Sequence, residues 1–290
     1  MMNILITGSN GQLGSEIKDI ANNYTDFNFI FKDLPDLDIC NYNELERFIT
    51  EGKINTIINC AAYTAVDKAE EDKEISQKVN ATGVLNLVKA LEKVNGKLIH
   101  ISTDYVFNGN SFLPYQESDI VSPIGVYGQT KREGELAVLN SSIDAIVIRT
   151  SWLYSSYGNN FVKTMLRLGE TKEELGVIFD QVGTPTYAKD LASTCLEILS
   201  CCKENNINSN GKVYHFSNEG VASWYDFAIA IMALGNLDCK VKPIETKDYP
   251  TLAKRPHFSV LNKSKIKNDF NISIPFWKDS LEACIFKLKN

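Results

Sequence analysis

The chain has little that would take it into a membrane or onto a nucleic acid. Among its 290 residues no apolar stretch approaches the roughly 20 residues that a membrane-spanning helix needs. The sequence opens directly on a short apolar segment, not on a charged and then hydrophobic leader. We therefore expect a cytoplasmic protein with no membrane partner. Positive charge is also short, 30 Lys and Arg against 36 Asp and Glu for a net charge of −6, and no basic cluster stands out. That argues against a nucleic-acid partner, while a local basic pocket for a substrate phosphate stays compatible with it. Histidines are only three, at 100, 215 and 257, far apart, and His100 inside an apolar run reads as a core residue. The seven cysteines (40, 60, 195, 201, 202, 239 and 284) are odd in number and contain no Cys-x-x-Cys pair. Such thiols fit a reducing compartment better than disulfides or structural zinc, and no metal site is assigned. Repeats and low-complexity tracts are missing.

What is present begins at the N-terminus. Asn3 to Thr7 is a short apolar strand, followed at once by Gly8-Ser9-Asn10-Gly11-Gln12-Leu13-Gly14 and then a helical pattern. Glycines at 8, 11 and 14 allow a tight turn and close backbone approach, and a helix N-terminus offers free N–H groups to a pyrophosphate. The spacing is three and three, not the two and three of the commoner dinucleotide fingerprint, so the turn alone is a weak signal. Two later features strengthen it. A second strand, Phe27 to Lys32, ends at Asp33, 19 residues after Gly14, where a carboxylate can accept from an adenosine ribose. Asp38 and Ile39, within Leu37-Asp38-Ile39, are placed to flank an adenine. A third strand, Asn55 to Cys60, runs into Ala61-Ala62-Tyr63-Thr64, small residues against which a nucleotide can lie.

The fourth strand, Lys97 to Ser102, delivers Ser102 and Thr103 at its carboxyl end, where open α/β sheets bind ligands. Tyr127 follows Thr103 by 24 residues, and Lys131 lies four further on. Residues four apart share a helix face, so the ammonium can sit beside the phenol and a cofactor ribose. A positive neighbour favours phenolate, which gives a general acid or base suited to neutral pH. Taken alone, such a pair is more often an exposed helical Tyr and Lys.

Through residue 150 strands alternate with amphipathic helices, over 11–22, 43–51, 67–72, 74–93 and 125–140, and 143–150 is the next strand. This predicts an α/β fold, a Rossmann-type doubly wound parallel sheet, with residues 1–150 as the NAD(P)-binding domain. Beyond it, 160–170 and 189–204 read as helices, 176–180 as a strand, 205–211 as a polar loop and 213–217 as a strand returning to the main sheet. Residues 151–290 then form mainly a smaller, discontinuous substrate-binding domain, with returns to the first near 186–217.

With these pieces in place the chain resembles the extended short-chain dehydrogenase/reductase superfamily and, within it, the dTDP-4-dehydrorhamnose reductase family over essentially its whole length. The matching segments are Ile-Thr-Gly-Ser-Asn-Gly-Gln-Leu-Gly at 6–14, Asn-Cys-Ala-Ala-Tyr-Thr-Ala-Val-Asp-Lys-Ala-Glu at 59–70, Ile-Ser-Thr-Asp-Tyr-Val-Phe at 101–107 and Tyr-Gly-Gln-Thr-Lys at 127–131. Arg-Thr-Ser-Trp-Leu-Tyr at 149–154, Asp-Gln-Val-Gly-Thr-Pro-Thr at 180–186 and Arg-Pro-His-Phe-Ser-Val-Leu at 255–261 match as well.

The resemblance implies NAD(P)H-dependent reduction of the C4 ketone of a nucleotide-linked 6-deoxyhexose to dTDP-L-rhamnose, for cell-surface polysaccharide. Tyr127 would be the proton donor, Thr103 would bond the developing alkoxide, and Lys131 would hold the nicotinamide ribose and lower the tyrosine pKa. Asp104 and Trp152 would line the sugar site and Arg255 approach the diphosphate. Leu34 stands after Asp33 where relatives carry an arginine for a 2′-phosphate, so the cofactor leans to NADH, with Lys32 keeping NADPH open. Some relatives use magnesium in forming a homodimer; Glu16 and Asp190 match its carboxylates, although exposed solvated acids are the simpler account. Tyr105 replaces the second carboxylate that 4,6-dehydratases of this superfamily need, which disfavours dehydration. Action on another ketosugar, epimerisation, and a non-catalytic role like that of the regulatory beta subunit of methionine adenosyltransferase are the alternatives.

Overall fold

A computed structural model describes residues 2–205 and 212–289. Short apolar runs become strands, the inner ones buried on both faces and the edge strand β2 only in part. They are β1 (Met2–Thr7), β2 (Phe27–Lys32), β3 (Thr56–Asn59), β4 (Lys97–Thr103) and β5 (Asp144–Thr150), joined laterally by Lys212–His215. All six are parallel, in the spatial order Lys212–His215, β5, β4, β3, β1, β2. Helices α1 (Gln12–Ile20), α2 (Tyr42–Glu51), α3 (Val66–Ala69), α4 (Lys73–Gln77), α5 (Gly83–Glu92) and α6 (Val126–Leu139) intervene.

Strand alternation decides which helix each residue meets. Ile4, Ile6, Ile58, Ile99, Ile146 and Ile148 face Ile17 of α1 and Leu191, Leu196 and Leu199 of the helix Ala188–Asn205. Their neighbours Leu5, Ile57, Leu98 and Val147 face α2, α5 and Val138 of α6 on the opposite side. The chain leaves β1 toward β2 and returns to β3 on its other side, so the order reverses there. Ligand crevices open at the carboxyl ends of strands beside such a reversal.

The second half has its own apolar centre, with Tyr154, Val162, Phe227, Ile231, Trp277 and Leu281 among its buried residues. It gathers the helices Phe161–Gly169, Trp224–Gly235 and Trp277–Lys289 and the parallel pair Glu174–Ile178 with Lys240–Ile244. Three helices here, including Ser264–Phe270, and the strand Lys240–Ile244 escape the sequence reading. Trp-Tyr-Asp-Phe-Ala-Ile-Ala-Ile-Met-Ala-Leu-Gly is apolar nearly all round, so periodicity gives no face. Lys240–Ile244 carries Pro243, which ordinarily argues against a strand except at an edge.

Most other boundaries agree within a residue or two. The exceptions have local causes. The expected helix over 74–93 is broken by a π-turn at Lys78–Thr82, the helix over 67–72 shortens to Val66–Ala69, and the strand over 176–180 lies at Glu174–Ile178. The polar loop over 205–211 falls outside the described residues apart from Asn205, which ends its helix.

Candidate active site

The glycine turn is built around Gly8, whose φ is +62°. A Cβ there would stand 2.6 Å from the Ala61 nitrogen, so Gly8 lets the turns after β1 and β3 touch. Asp33 holds this turn from outside: its two oxygens accept from the Asn10 and Leu34 N–H groups, each at 2.8 Å. Gly14 presses against Ser9, where a side chain would not fit. Gly11 is the extended N-cap of α1 and supplies no side-chain acceptor, so the first helical N–H groups stay available to a ligand.

Thr7, Asn59 and His100 sit side by side across β1, β3 and β4. Asn59 Oδ1 accepts from the Thr7 hydroxyl at 2.6 Å and from Ala61 N–H at 3.2 Å, while its amide nitrogen meets His100 Nδ1 at 3.0 Å. With Nδ1 accepting, the ring is neutral, and complete burial holds its pKa well below the ordinary range. His100 is thus the core residue expected. The next turn, Ala61 to Thr64, is fixed by Asn80, which the sequence reading overlooked. Its amide oxygen accepts from Tyr63 N–H at 2.9 Å and its nitrogen donates to Tyr63 O at 3.0 Å. Asn80 lies in the π-turn and is 1% exposed. Asn80 stands among other polar residues, Gln77, Lys78 and Thr82, so residue type gave no signal of it; such turns recur at functional sites.

Helix α6 brings in Tyr127 and Lys131. Its first N–H, on Val126, is capped by Glu70 Oε1 at 2.9 Å, an acid from another segment. Gly128 lets the helix lie on the turn after β4, because a Cβ would stand 2.2 Å from Tyr105 O. Below them Glu135, fully buried, receives Arg149 Nε at 2.8 Å, Arg149 Nη2 at 2.9 Å and Arg132 at 2.7 Å.

Thr103, Asp104, Tyr127, Lys131 and Trp152 line one cavity of about 570 Å³, whose other end is formed by Gly11, Gln12, Leu13, Ala62 and Thr64. Gln12 accepts from Asn160 Nδ2 at 3.0 Å, which closes the cavity's rim between the two halves of the chain. The Thr103 hydroxyl donates to Asp104 Oδ1 at 3.0 Å and accepts from Tyr105 N–H at 3.2 Å. Asp104 is 2% exposed, and Oδ2 has no hydrogen bond of standard geometry. Burial raises its pKa to about 7, against partial relief from Thr103 and the nearby Ser259.

The Tyr127–Lys131 reading needs correction. Burial pushes the phenol up to about 12, offset in part by Thr103, and Lys131 is not among the groups lowering it. The ammonium instead donates to Ile101 O at 2.6 Å, and burial brings its own pKa down to about 8 despite the opposing Glu135 and Cys60. Desolvation exceeds the attraction expected from spacing alone. Tyr127 is accordingly a neutral phenol that retains its proton at neutral pH.

Other expected residues stand outside the cavity wall. Ile39 is buried with its side chain against the Gly83 backbone, and its carbonyl accepts from Asn86 at 3.0 Å. Asp38 accepts from Cys40 N–H at 2.9 Å, and the Tyr63 hydroxyl turns to Asp72 at 3.0 Å. Arg255 pairs with Asp67 at 2.7 Å and lines a neighbouring cavity of about 460 Å³.

The magnesium match fails on chemistry. Glu16 is fully buried, accepts from Ser155 at 2.5 Å and faces Lys287 Nζ at 3.0 Å, so a cation already occupies its environment. Asp190 accepts from Asn218 and Ser280, both at 2.6 Å, and belongs to that separate cluster. Among the described residues no disulfide forms, and no helix is long and apolar enough to cross a membrane.

A six-stranded parallel sheet with a glycine turn at its reversal and a Thr, Tyr and Lys set at the carboxyl end of β4 defines a Rossmann-type oxidoreductase of the short-chain dehydrogenase/reductase kind. The match can be made narrower. The model of the RmlD substrate binding domain matches residues 2–290, and the chain belongs to this family, that of the dTDP-4-dehydrorhamnose reductases. A dTDP-4-dehydrorhamnose reductase from Aggregatibacter actinomycetemcomitans is 43% identical over 97% of this chain and 98% of that protein. Among solved structures, a dTDP-4-dehydrorhamnose reductase from Clostridium acetobutylicum has 43% identity and a TM-score of 0.92, with all of both chains covered. One from Bacillus anthracis, in complex with NADP, has 36% identity and a TM-score of 0.93, covering 99% of this chain and 100% of that one.

Proposed function

We propose that this protein reduces dTDP-4-dehydro-L-rhamnose to dTDP-L-rhamnose with a reduced nicotinamide cofactor, in the making of cell-surface polysaccharide. The observation that carries the reading is the single cavity joining an uncapped helix N-terminus to Thr103, Tyr127 and Lys131. Residues 1–150, with the returning helix and strand, form the cofactor half in this reading, and 151–290 mainly the sugar half.

The dinucleotide fits the residues present. Gly8, Gly11 and Gly14 leave space, Gln12 and Leu13 offer N–H groups to its diphosphate, and Ala61 to Thr64 give a flat wall. Asp33 keeps lone pairs for a ribose hydroxyl, Asp38 and the Ile39 backbone flank the adenine, and Lys131 serves the second ribose. An anionic Asp33 beside exposed Leu34 disfavours a 2′-phosphate, which leans the choice to NADH.

Bound nicotinamide supplies the hydride. Tyr127 arrives protonated at neutral pH and holds that proton at its phenol oxygen for the developing alkoxide. Thr103 gives its hydroxyl hydrogen to Asp104. With Asp104 protonated and the substrate seated, that hydrogen turns to the sugar oxygen, a contribution of about 3 kcal/mol in a dry site. Trp152 lines the sugar, and Arg255, already steadied by Asp67, reaches the diphosphate.

The test is loss of nicotinamide absorbance with enzymatically generated dTDP-4-dehydro-L-rhamnose, run with NADH and NADPH in parallel and with Tyr127→Phe beside wild type. Tyr127→Phe should lower kcat by about 10²–10⁴ while leaving cofactor affinity nearly unchanged. No turnover with either cofactor, from folded protein that binds one of them, refutes the assignment; unchanged turnover in the variant refutes the role of Tyr127.

A further inference from the structure

Trp152 has a backbone unusual for its size. It follows β5 with φ at +48°, a left-handed conformation that bulky residues seldom adopt. Its carbonyl is fixed by Thr186 N–H at 3.1 Å, and the residue before it, Ser151, donates to Thr184 O at 2.9 Å. The indole meets Gly183, where a Cβ would come within 2.7 Å of Trp152 Cε2. It also lies face to face with the Trp224 indole, with ring centroids 3.6 Å apart and planes within 9°.

The support behind Trp224 is well built. Gly183 pairs with Ala222 and Val182 with Ser223, which brings the start of the helix Trp224–Gly235 beside the Trp152 loop. Ser223 and Asp226 form a reciprocal cap, Ser223 Oγ accepting from Asp226 N–H at 3.0 Å and Asp226 Oδ2 from Ser223 N–H at 2.9 Å. Phe161 tilts against Trp224 at 4.7 Å. Trp152 lines the active-site cavity, and Trp224 is not among the residues of its wall.

We propose that Trp224 is a positioning residue that selects the sugar through Trp152, by fixing that indole as a flat wall suited to the C–H face of a 6-deoxyhexose. The inference rests on the reading that Trp152 contacts the sugar. A flat aromatic wall fits a ring whose face ends in C–H groups and a methyl. Freed from its stack, the Trp152 side chain would sample other rotamers, and the sugar would lose a preformed surface.

Two indoles stacked this closely give a coupled far-ultraviolet circular dichroism couplet, and the chain contains only one other tryptophan, Trp277. Trp224→Leu should abolish the couplet and raise KM for the ketosugar nucleotide roughly tenfold, about the worth of one aromatic pair. Cofactor Kd should stay within about twofold, since the glycine turn is untouched. Trp224→Phe, which keeps an aromatic face, should recover most of the loss. A folded Trp224→Leu protein without the couplet and with wild-type KM overturns the proposal.

Trp152→Leu separates the two layers of argument. Unchanged KM in that variant defeats the contact between Trp152 and the sugar, whereas a raised KM there with none in Trp224→Leu defeats the positioning role alone. Should Trp224→Leu fail to fold, titration of wild-type protein with dTDP-rhamnose decides: a couplet that persists unaltered at saturation is what a preformed wall requires, and a couplet lost or reshaped on binding overturns the proposal.

Discussion

Asp104 gives an experiment in which a residue of the candidate active site weakens the fold that holds it. Its carboxyl ordinarily loses its proton near 3.8 and in the folded chain near 7. Between those values the native state binds more protons than the unfolded state, so stability falls as pH rises through the window. Each factor of ten in an acid constant is worth about 1.4 kcal/mol, so the ionised, buried carboxylate costs the fold about 4 kcal/mol at about pH 9. Near pH 5 the same cost falls to about 1.7 kcal/mol, because the native carboxyl is then protonated.

Asp104→Asn removes the titration and keeps the oxygen that accepts from Thr103. Its amide nitrogen, placed where Oδ2 has no standard hydrogen bond, costs about 1–3 kcal/mol at every pH. Urea unfolding of both proteins should therefore show the variant gaining about 2–3 kcal/mol on wild type between pH 5 and pH 9. The constant amide penalty cancels in this comparison. A difference between the two proteins that is the same at both pH values, within about 0.5 kcal/mol, would show that Asp104 is not held protonated by burial.

Three further outcomes follow from the same interior. Lys131, lowered to about 8, loses its charge as pH rises, so turnover should decline on the alkaline side with an apparent pKa near that value; a flat rate profile through about pH 9.5 contradicts this. Gly8→Ala puts a methyl 2.6 Å from backbone at positive φ, and calorimetry should show cofactor affinity reduced by at least about tenfold; wild-type affinity would mean that the turn is not the cradle. Lys287→Met strips the cation from fully buried Glu16 and should destabilise the fold by about 3 kcal/mol, while magnesium or a chelator leaves the wild-type melting temperature unchanged. A magnesium-dependent rise would restore the metal reading.

Much of the first half was legible because the inner parallel strands are buried on both faces and appear as short apolar runs, and each is punctuated by a turn with its own chemistry. Order along the βα repeat placed Thr103, Tyr127 and Lys131 near one another, and all three line one cavity. That order did not give their charge states, since neither the Ile101 carbonyl that takes the lysine nor the dry surroundings of the phenol is local in sequence. Asn80 and Glu70 were missed for a related reason: one acts from a π-turn and the other caps a helix 56 residues away. The helix Trp224–Gly235 hid in its uniform hydrophobicity, and the left-handed Trp152 has no signature in residue type.

The ion pair between Glu16 and Lys287 spans 271 residues, from the first helix of the sheet to the helix Trp277–Lys289. During synthesis at about 5–20 residues per second, the carboxylate emerges roughly 15–50 s before its cation. Until then Glu16 can meet the Ser155 hydroxyl but no cation, so its burial lacks the charge that compensates it in the finished chain. The first helix of the sheet therefore gains its full set of partners only once the closing helix has been made.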